Sequence, residues 1–204
     1  NNEVKENKCQ VILVSSPGPG EGKTTTLVNL AITYANLGKR TLLIDGDLRK
    51  PVTHKVFNVK KEPGITSYLS GTVNTHNEII QNTGIDNLNL ITCGVVPPNP
   101  SEILSSKNME NLLDTLKDEY DYIMIDSPPV LAVTDTIVCM KYTDQFFLVV
   151  RTGKTEKGGL SRSLEQLKLS NAPFCGVLMN AIDESNVYGR GYYYNYYQYY
   201  YGEK

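Results

Sequence analysis

The chain has 204 residues, of which 40% are hydrophobic and 21% charged, and its 20 basic and 22 acidic residues leave a net charge of −2. This balance is typical of a globular protein, and without a basic excess nucleic acid is not expected as a partner. A chain of this length predicts one domain that folds without disulfides or metal, and no apolar run approaches the roughly 20 residues of a membrane span. The four cysteines form no CxxC motif, so we expect reduced thiols in a cytosolic protein.

Strand and helix patterns alternate along the chain. A buried strand is predicted at residues 9–16, followed by a Gly/Pro loop and by a helix whose apolar residues include Leu27, Ala31 and Tyr34. Gly38 stands where a helix C-terminal glycine belongs. The later predicted elements are strands at 41–45, 88–92, 122–126, 146–150 and 175–179 and helices at 110–119 and 160–170.

This alternation predicts an α/β fold, a mostly parallel β-sheet flanked by helices. The strands are continuous apolar runs, which indicates burial on both faces. Residues 50–87 have weak periodicity and yield no assigned element, and the proline-rich segment 94–102 is predicted to be a connection. Ligands of such sheets bind beyond the carboxyl ends of the strands, so the loops there are the first places to look for a site.

A glycine-rich loop between the first strand and the first helix has the context of a phosphate-binding loop. Its backbone N–H groups can form an anion nest, Lys23 can neutralise the β- and γ-phosphates, and Thr24 can ligate Mg²⁺. Pro17 replaces the first glycine of the usual motif, and the alternative is a turn that merely carries Gly-Lys-Thr. The residues predicted to hold the nucleotide here are Gly18, Pro19, Gly20, Glu21, Gly22, Lys23, Thr24 and Thr25.

Acidic residues end two of the predicted strands. Asp126 ends one, and Asp45 ends another with Asp47 two residues later. A carboxylate at the tip of a buried strand is costly unless it faces a cation, and Mg²⁺ prefers such hard oxygen ligands. Thr24, Asp47 and Asp126 are therefore the predicted metal ligands. The alternatives are a turn residue for Asp126 and a solvated charge cluster for residues 45–49.

Three motifs resemble those of the bacterial tyrosine kinases of capsular and extracellular polysaccharide synthesis, and the likeness covers nearly the whole chain. They are Ser-Pro-Gly-Pro-Gly-Glu-Gly-Lys-Thr at 16–24, Leu-Leu-Ile-Asp-Gly-Asp-Leu-Arg-Lys-Pro at 42–51, which is the most specific, and Ile-Met-Ile-Asp-Ser-Pro-Pro at 123–129. The family fold is a P-loop NTPase domain like that of the MinD/ParA ATPases. Those relatives usually carry a signature lysine where this chain has Gly18, which favours the kinase.

The resemblance implies ATP and Mg²⁺ as cofactors and assigns roles to particular residues. Lys23, Asp45, Asp47 and Asp126 would be catalytic. We expect Asp45 to be the base and Asp47 to lie nearer the metal, although the sequence does not separate the two. Arg49 would steady the acceptor or the developing charge, with a solvated surface role as the alternative. Asn180 would contact adenine, with a loop-capping role as the alternative.

Nine of the 14 tyrosines fall in residues 188–204, where an even spread would place about one. We therefore divide the chain into a kinase domain, 1–187, and a flexible tyrosine-rich C-terminal tail, 188–204. The resemblance implies that this tail is autophosphorylated, and each phosphotyrosine adds about −1.5 to −2 charges. The predicted acceptors are Tyr192, Tyr193, Tyr194, Tyr196, Tyr197, Tyr199, Tyr200 and Tyr201.

The resemblance also implies partners. They are the cytoplasmic segment of a membrane adaptor that activates the kinase, a cognate tyrosine phosphatase, and a second copy of the chain for trans-autophosphorylation. The expected location is the cytoplasm, at the inner face of the membrane. The family's upstream Glu-x-x-Arg-x-x-Arg helix is absent before Lys8; the sequence is truncated or the subfamily differs, so the oligomeric state stays open. The alternative functions are a MinD/ParA-like ATPase switch and a nucleotide-binding adaptor without catalysis.

Overall fold

A computed structural model describes residues 8–182, in which seven strands form one sheet. The strands are β1 (Gln10–Ser15), β2 (Thr41–Asp45), β3 (Ile80–Asn82), β4 (Leu88–Ile91), β5 (Tyr122–Asp126), β6 (Gln145–Arg151) and β7 (Phe174–Asn180). Their order across the sheet is β3-β4-β2-β5-β1-β6-β7. All neighbouring pairs are parallel except β3 with β4, which confirms the mostly parallel sheet predicted above.

Seven α-helices and one 3₁₀ helix connect these strands within the described range. They are α1 (Lys23–Asn36), α2 (Thr53–Val56), α3 (Ile65–Leu69), the 3₁₀ helix (His76–Glu78), α4 (Pro100–Leu104), α5 (Lys107–Glu119), α6 (Asp135–Met140) and α7 (Lys157–Leu169). None of the helices in residues 8–182 is long and apolar enough to cross a membrane.

The central strands are apolar on both sides because the middle of the sheet is covered on both faces. Ile12 and Val14 of β1 belong to the apolar core under α1. Val11 and Leu13, which point the opposite way along the same strand, belong to the larger core that includes α5. Burial of alternate residues in two different cores explains why residues 11–14 of this strand are all apolar.

The residues at the helix ends explain where three of the helices begin or end. Gly38 has φ = 76°, a left-handed conformation that glycine adopts without steric cost, and it lies just beyond the end of α1. The Ser106 side chain accepts a hydrogen bond from the Met109 backbone N–H at the start of α5. Pro100 occupies the first turn of α4, where its missing N–H leaves no helical bond unmade. The connection predicted over residues 94–102 is therefore wrong at its end, because α4 begins at Pro100.

The burial predicted for the last strand needs correction, and the structure defines the elements of residues 50–87, which the sequence left unassigned. The last strand was expected to be buried on both faces, but β7 lies at the edge of the sheet, where Phe174 is 40% and Met179 is 58% exposed. Residues 50–87 contain α2, α3, the 3₁₀ helix and β3, none longer than five residues, so no periodic pattern could develop. The boundary predicted at residues 187/188 and the tail tyrosines lie outside the described residues.

Candidate active site

The predicted site residues converge on one edge of the sheet. Val14 of β1 is paired with Asp126 of β5, and Asp126 is paired on its other side with Asp45 of β2. Because the three strands are parallel, their carboxyl ends lie at the same edge. The phosphate-binding loop follows β1 there, between the sheet and α1.

The loop is shaped by two glycines in the left-handed region. Gly20 has φ = 71° and Gly22 has φ = 96°, and Gly22 directly precedes α1. The loop borders a cavity of about 300 Å³. Within the described residues this cavity is lined by Pro19, Gly20, Gly22, Lys23, Thr24, Thr25, Asp47, Lys50, Val52 and Pro129.

Lys23 and Thr24 contact the acidic strand ends directly. The Lys23 ammonium lies 2.9 Å from Asp47 Oδ2 and 3.1 Å from Asp126 Oδ1. Burial alone would lower the pKa of Lys23, but the charges of Asp126 and Asp47 hold it above its ordinary value. The Thr24 hydroxyl donates a hydrogen bond of 2.5 Å to Asp126 Oδ2. The structure therefore joins four of the residues singled out from the sequence.

Asp126 is fully buried, and its environment is unfavourable for negative charge. Burial raises its pKa to about 6, against the opposing effects of the Lys23 charge and the Thr24 hydrogen bond. The nearby charge of Asp45 raises it further. A buried carboxylate in this position gains from any additional cation.

Asp45 and Asp47 occupy different environments. Asp45 is fully buried, and its Oδ2 accepts hydrogen bonds from the Thr53 hydroxyl at 2.7 Å and from the backbone N–H groups of Val52 and Thr53. Its Oδ1 is buried without a hydrogen-bond partner among the described residues, and burial raises the pKa of this carboxyl. Asp47 lines the cavity, and its Oδ1 accepts the Lys50 N–H.

The oxygen donors of this edge suit a hard divalent cation. Thr24, Asp47 and Asp126 supply a hydroxyl and carboxylates, the ligand types that Mg²⁺ prefers. Within residues 8–182 no group of three His, Cys, Asp or Glu side chains could hold a metal by itself. A Mg²⁺ ion here would therefore take its remaining ligands from nucleotide phosphates and water.

Arg49 points to a different partner than the sequence suggested. Its guanidinium donates hydrogen bonds of 2.6 Å and 3.2 Å to the Asp135 carboxylate. Asp135 is fully buried, whereas the Arg49 side chain is 43% exposed. The Ser101 hydroxyl also bonds Asp135. Lys50 and Val52 line the described part of the cavity, whereas Arg49 does not. Arg49 thus links the acidic loop after β2 to α4 and α6.

Asn180 lies at the phosphate-binding loop, where its side-chain N–H₂ donates to the Glu21 carbonyl at 3.1 Å. The Glu21 carboxylate is bonded to Gly18 N and to the Thr155 hydroxyl, so only the backbone of Glu21 can face a phosphate. Lys154 and Thr155 were missed from the sequence. The sequence indicates these two residues only through their position, just after the carboxyl end of β6.

The combination of a glycine loop at a helix N-terminus, a lysine, a hydroxyl and two strand-end carboxylates defines a P-loop nucleotide-binding protein. The septum site-determining protein MinD of Pyrococcus horikoshii, solved as a complex with Mg-ADP, has a TM-score of 0.71 at 23% identity. The match covers 86% of this chain and 72% of that one. This likeness confirms the MinD/ParA-like fold.

Closer relatives narrow the class. A protein-family model described as an AAA domain matches residues 9–173. Tyrosine-protein kinase CpsD of Streptococcus pneumoniae serotype 4 is 41% identical over 191 residues, 93% of this chain and 84% of that protein. Tyrosine-protein kinase YwqD of Bacillus subtilis is 37% identical over 92% of this chain and 79% of that protein. The solved kinase domain of Escherichia coli tyrosine kinase ETK has a TM-score of 0.83 at 34% identity, covering 92% and 74% of the two chains.

The chain therefore belongs to the bacterial tyrosine-protein kinase family, as its three sequence motifs predicted. Membership favours a kinase over a MinD/ParA-like ATPase switch, because relatives at 41% and 37% identity are kinases whereas the MinD likeness lies at 23%.

Proposed function

We propose that this protein transfers the γ-phosphate of ATP to tyrosine hydroxyls, its own C-terminal tyrosines included, and thereby regulates capsular or extracellular polysaccharide synthesis. The observation that carries the proposal is the cavity bordered by both the phosphate-binding loop and Asp47, with Lys23 bonded to Asp47 and Asp126 at its wall. Phosphoryl transfer needs positioning and charge neutralisation rather than covalent chemistry, and this arrangement supplies both.

The phosphates of ATP would be held by the backbone N–H groups of residues 20–25 and by Lys23. Thr24, Asp47 and Asp126 would hold Mg²⁺, which when bound neutralises charge on the phosphates. Lys23 is already fixed beside these carboxylates, within 3.1 Å of both Asp47 and Asp126. A short movement would bring its ammonium to an anionic phosphate in the cavity.

The proton of the acceptor hydroxyl would pass to Asp45, whose carboxylate is fully buried and does not line the described part of the cavity, so a movement that opens it to the acceptor must precede the transfer. Its Oδ1 has no hydrogen-bond partner among the described residues, and burial raises the pKa of this carboxyl. A carboxylate with a raised pKa accepts a proton more readily, and its second oxygen is fixed by Val52 and Thr53. Asp47, which faces Lys23 and the cavity, would serve the metal.

The acceptors in this proposal are the eight tyrosines of residues 192–201, which lie outside the described residues. Successive phosphorylation would give this segment many negative charges. Repulsion from Asp45 and Asp47 would then drive it from the active site of a second copy. In this scheme the protein acts in the cytoplasm at the inner face of the membrane, with an adaptor's cytoplasmic segment as activator and a tyrosine phosphatase as its antagonist.

Intact mass spectrometry after incubation with Mg²⁺-ATP and the adaptor segment tests the proposal. We expect added phosphates that map to residues 192–201 and are absent in Lys23→Met. The matched control is Lys168→Met, which removes an exposed lysine of α7 and should be phosphorylated like the unmodified protein. ATP turnover without any gain in mass would contradict the kinase and favour the ATPase switch.

A further inference from the structure

The carbonyl groups of the phosphate-binding loop are bonded by side chains from another part of the chain. The Lys154 ammonium donates to the Pro19 carbonyl at 2.7 Å and to the Gly20 carbonyl at 3.2 Å. The Arg151 guanidinium also reaches the Gly20 carbonyl, at 3.4 Å. With the Asn180 bond to Glu21, three successive carbonyls of the loop have side-chain donors.

Each of these carbonyls belongs to a peptide group whose N–H is part of the predicted anion nest. The Pro19 carbonyl shares its peptide group with the N–H of Gly20, the Gly20 carbonyl with that of Glu21, and the Glu21 carbonyl with that of Gly22. A cation bound to a carbonyl oxygen draws electrons toward that oxygen, and the N–H of the same peptide becomes a stronger donor. Lys154 therefore acts on two N–H groups of the nest.

The same segment also fixes the position of the loop. The Thr155 hydroxyl bonds the Glu21 carboxylate, whose other oxygen accepts the Gly18 N–H at 2.8 Å. Glu21 is only 4% exposed, so this connection is shielded from water. The contact of Lys154 is also close, because a Cβ atom at Gly20 would lie 2.6 Å from the Lys154 ammonium.

We propose that Lys154 is a positioning residue for nucleotide binding. Bound to the outer carbonyls of the phosphate-binding loop, it orients and polarises the N–H groups of Gly20 and Glu21 toward the phosphates of a nucleoside di- or triphosphate. Pro17 and Pro19 have no N–H group to donate to a phosphate, and Lys154 compensates by strengthening the N–H donors of Gly20 and Glu21. The inference concerns nucleotide binding alone and does not require the tail to be the acceptor.

The test compares Lys154→Met with Lys154→Arg and with Lys157→Met, which removes an exposed lysine three residues away. Loss of a charge-assisted hydrogen bond should weaken ADP binding about five- to twenty-fold in Lys154→Met. Adenosine, which has no phosphate, should bind as before. Lys154→Arg should recover most of the ADP affinity, and Lys157→Met should keep all of it.

Amide proton chemical shifts give a second readout that needs no catalysis. We expect the signals of Gly20 and Glu21 to move upfield in Lys154→Met and to remain in place in Lys157→Met. Unchanged ADP affinity in Lys154→Met would overturn the proposal, and so would an equal loss of ADP and adenosine binding, which indicates general damage. Neither measurement depends on phosphoryl transfer, so the kinase proposal can fail while this one stands.

Discussion

Asp45 and Asp126 are directly paired in adjacent parallel strands, so their two buried carboxylates stand side by side at the carboxyl edge of the sheet. Two neighbouring negative charges away from water oppose each other's ionisation, and burial raises the pKa of both. The arrangement is unfavourable for the folded protein and useful to a site that must collect cations.

Replacement of Asp126 by Asn should change how stability depends on pH. The pKa of Asp126 is raised from 3.8 to about 6 in the folded protein, so the folded state binds this proton more tightly than the unfolded state. The contribution of Asp126 to the free energy of unfolding therefore falls as the pH rises from about 4 to about 6, and it stays constant at higher pH. The free energy of unfolding of Asp126→Asn, relative to the unmodified protein, should rise across this window by up to about 3 kcal/mol.

Urea denaturation without Mg²⁺ or nucleotide measures this difference. Asp118→Asn, which alters an exposed carboxylate of α5, is the control for a general loss of negative charge. A relative stability of Asp126→Asn that declined between pH 4 and pH 6 would contradict the raised pKa.

Asp45→Asn and Asp47→Asn should separate the two acidic roles. Asn at position 45 can still accept the hydrogen bonds of Val52 and Thr53 but cannot take up a proton at its amide. We expect kcat to fall about 100-fold or more with little change in ADP binding. Asn at position 47 should instead weaken Mg²⁺-dependent ADP binding. Steady-state kinetics measure kcat for both variants, and ADP titrations with and without Mg²⁺ measure their nucleotide binding. A fall in kcat in Asp47→Asn together with weaker Mg²⁺-dependent ADP binding in Asp45→Asn would assign the base to Asp47.

Arg49→Met should destabilise the protein because it leaves the buried Asp135 carboxylate without its cation. The expected loss is about 1–3 kcal/mol in the free energy of unfolding. Asp135→Asn in the same chain should restore most of that stability, because the unpaired charge is gone. If Arg49 acts through Asp135, any rise in the KM for ATP that accompanies Arg49→Met should be reversed together with the loss of stability. Recovery of stability without recovery of KM would show that Arg49 contacts the nucleotide or the acceptor.

Gly22→Ala should impair nucleotide binding, whereas Gly38→Ala should not. Both glycines have positive φ, and a Cβ there costs about 1–2 kcal/mol of backbone strain. At Gly22 the added Cβ would also lie 1.9 Å from the Asn180 amide nitrogen, while at Gly38 it would meet nothing within 4 Å. ADP affinity should therefore fall at least about tenfold in Gly22→Ala only. Equal affinities in the two variants would contradict a steric role for Asn180.

The long strands and helices and the phosphate-binding loop could be predicted because each rests on local sequence. A buried strand gives a continuous apolar run, and the Gly-Lys-Thr loop occupies one continuous stretch. The pairing of Arg49 with Asp135 could not be predicted, because the two residues are 86 positions apart and the sequence around each gives no indication of its partner. The contacts of Lys154 with the loop are likewise made across 134 residues or more.

The exposure of β7 was missed for a related reason. An edge strand and a central strand can have similar apolar sequences, and only the order of strands in the sheet distinguishes them. That order depends on crossovers between distant segments, such as β1 with β5 and β6. Asp45 and Asp47 could not be ranked from sequence either, since two residues of the same type stand two positions apart and differ only in what packs around them.

The central place of β1 has a consequence for synthesis on the ribosome. Its two neighbours in the sheet begin at Tyr122 and Gln145, more than a hundred residues later in the chain. The glycine loop that follows β1 is thus translated early but has no sheet to support it until most of the protein has emerged. A nascent chain should acquire affinity for nucleotide abruptly and late, so that binding marks the completion of the fold.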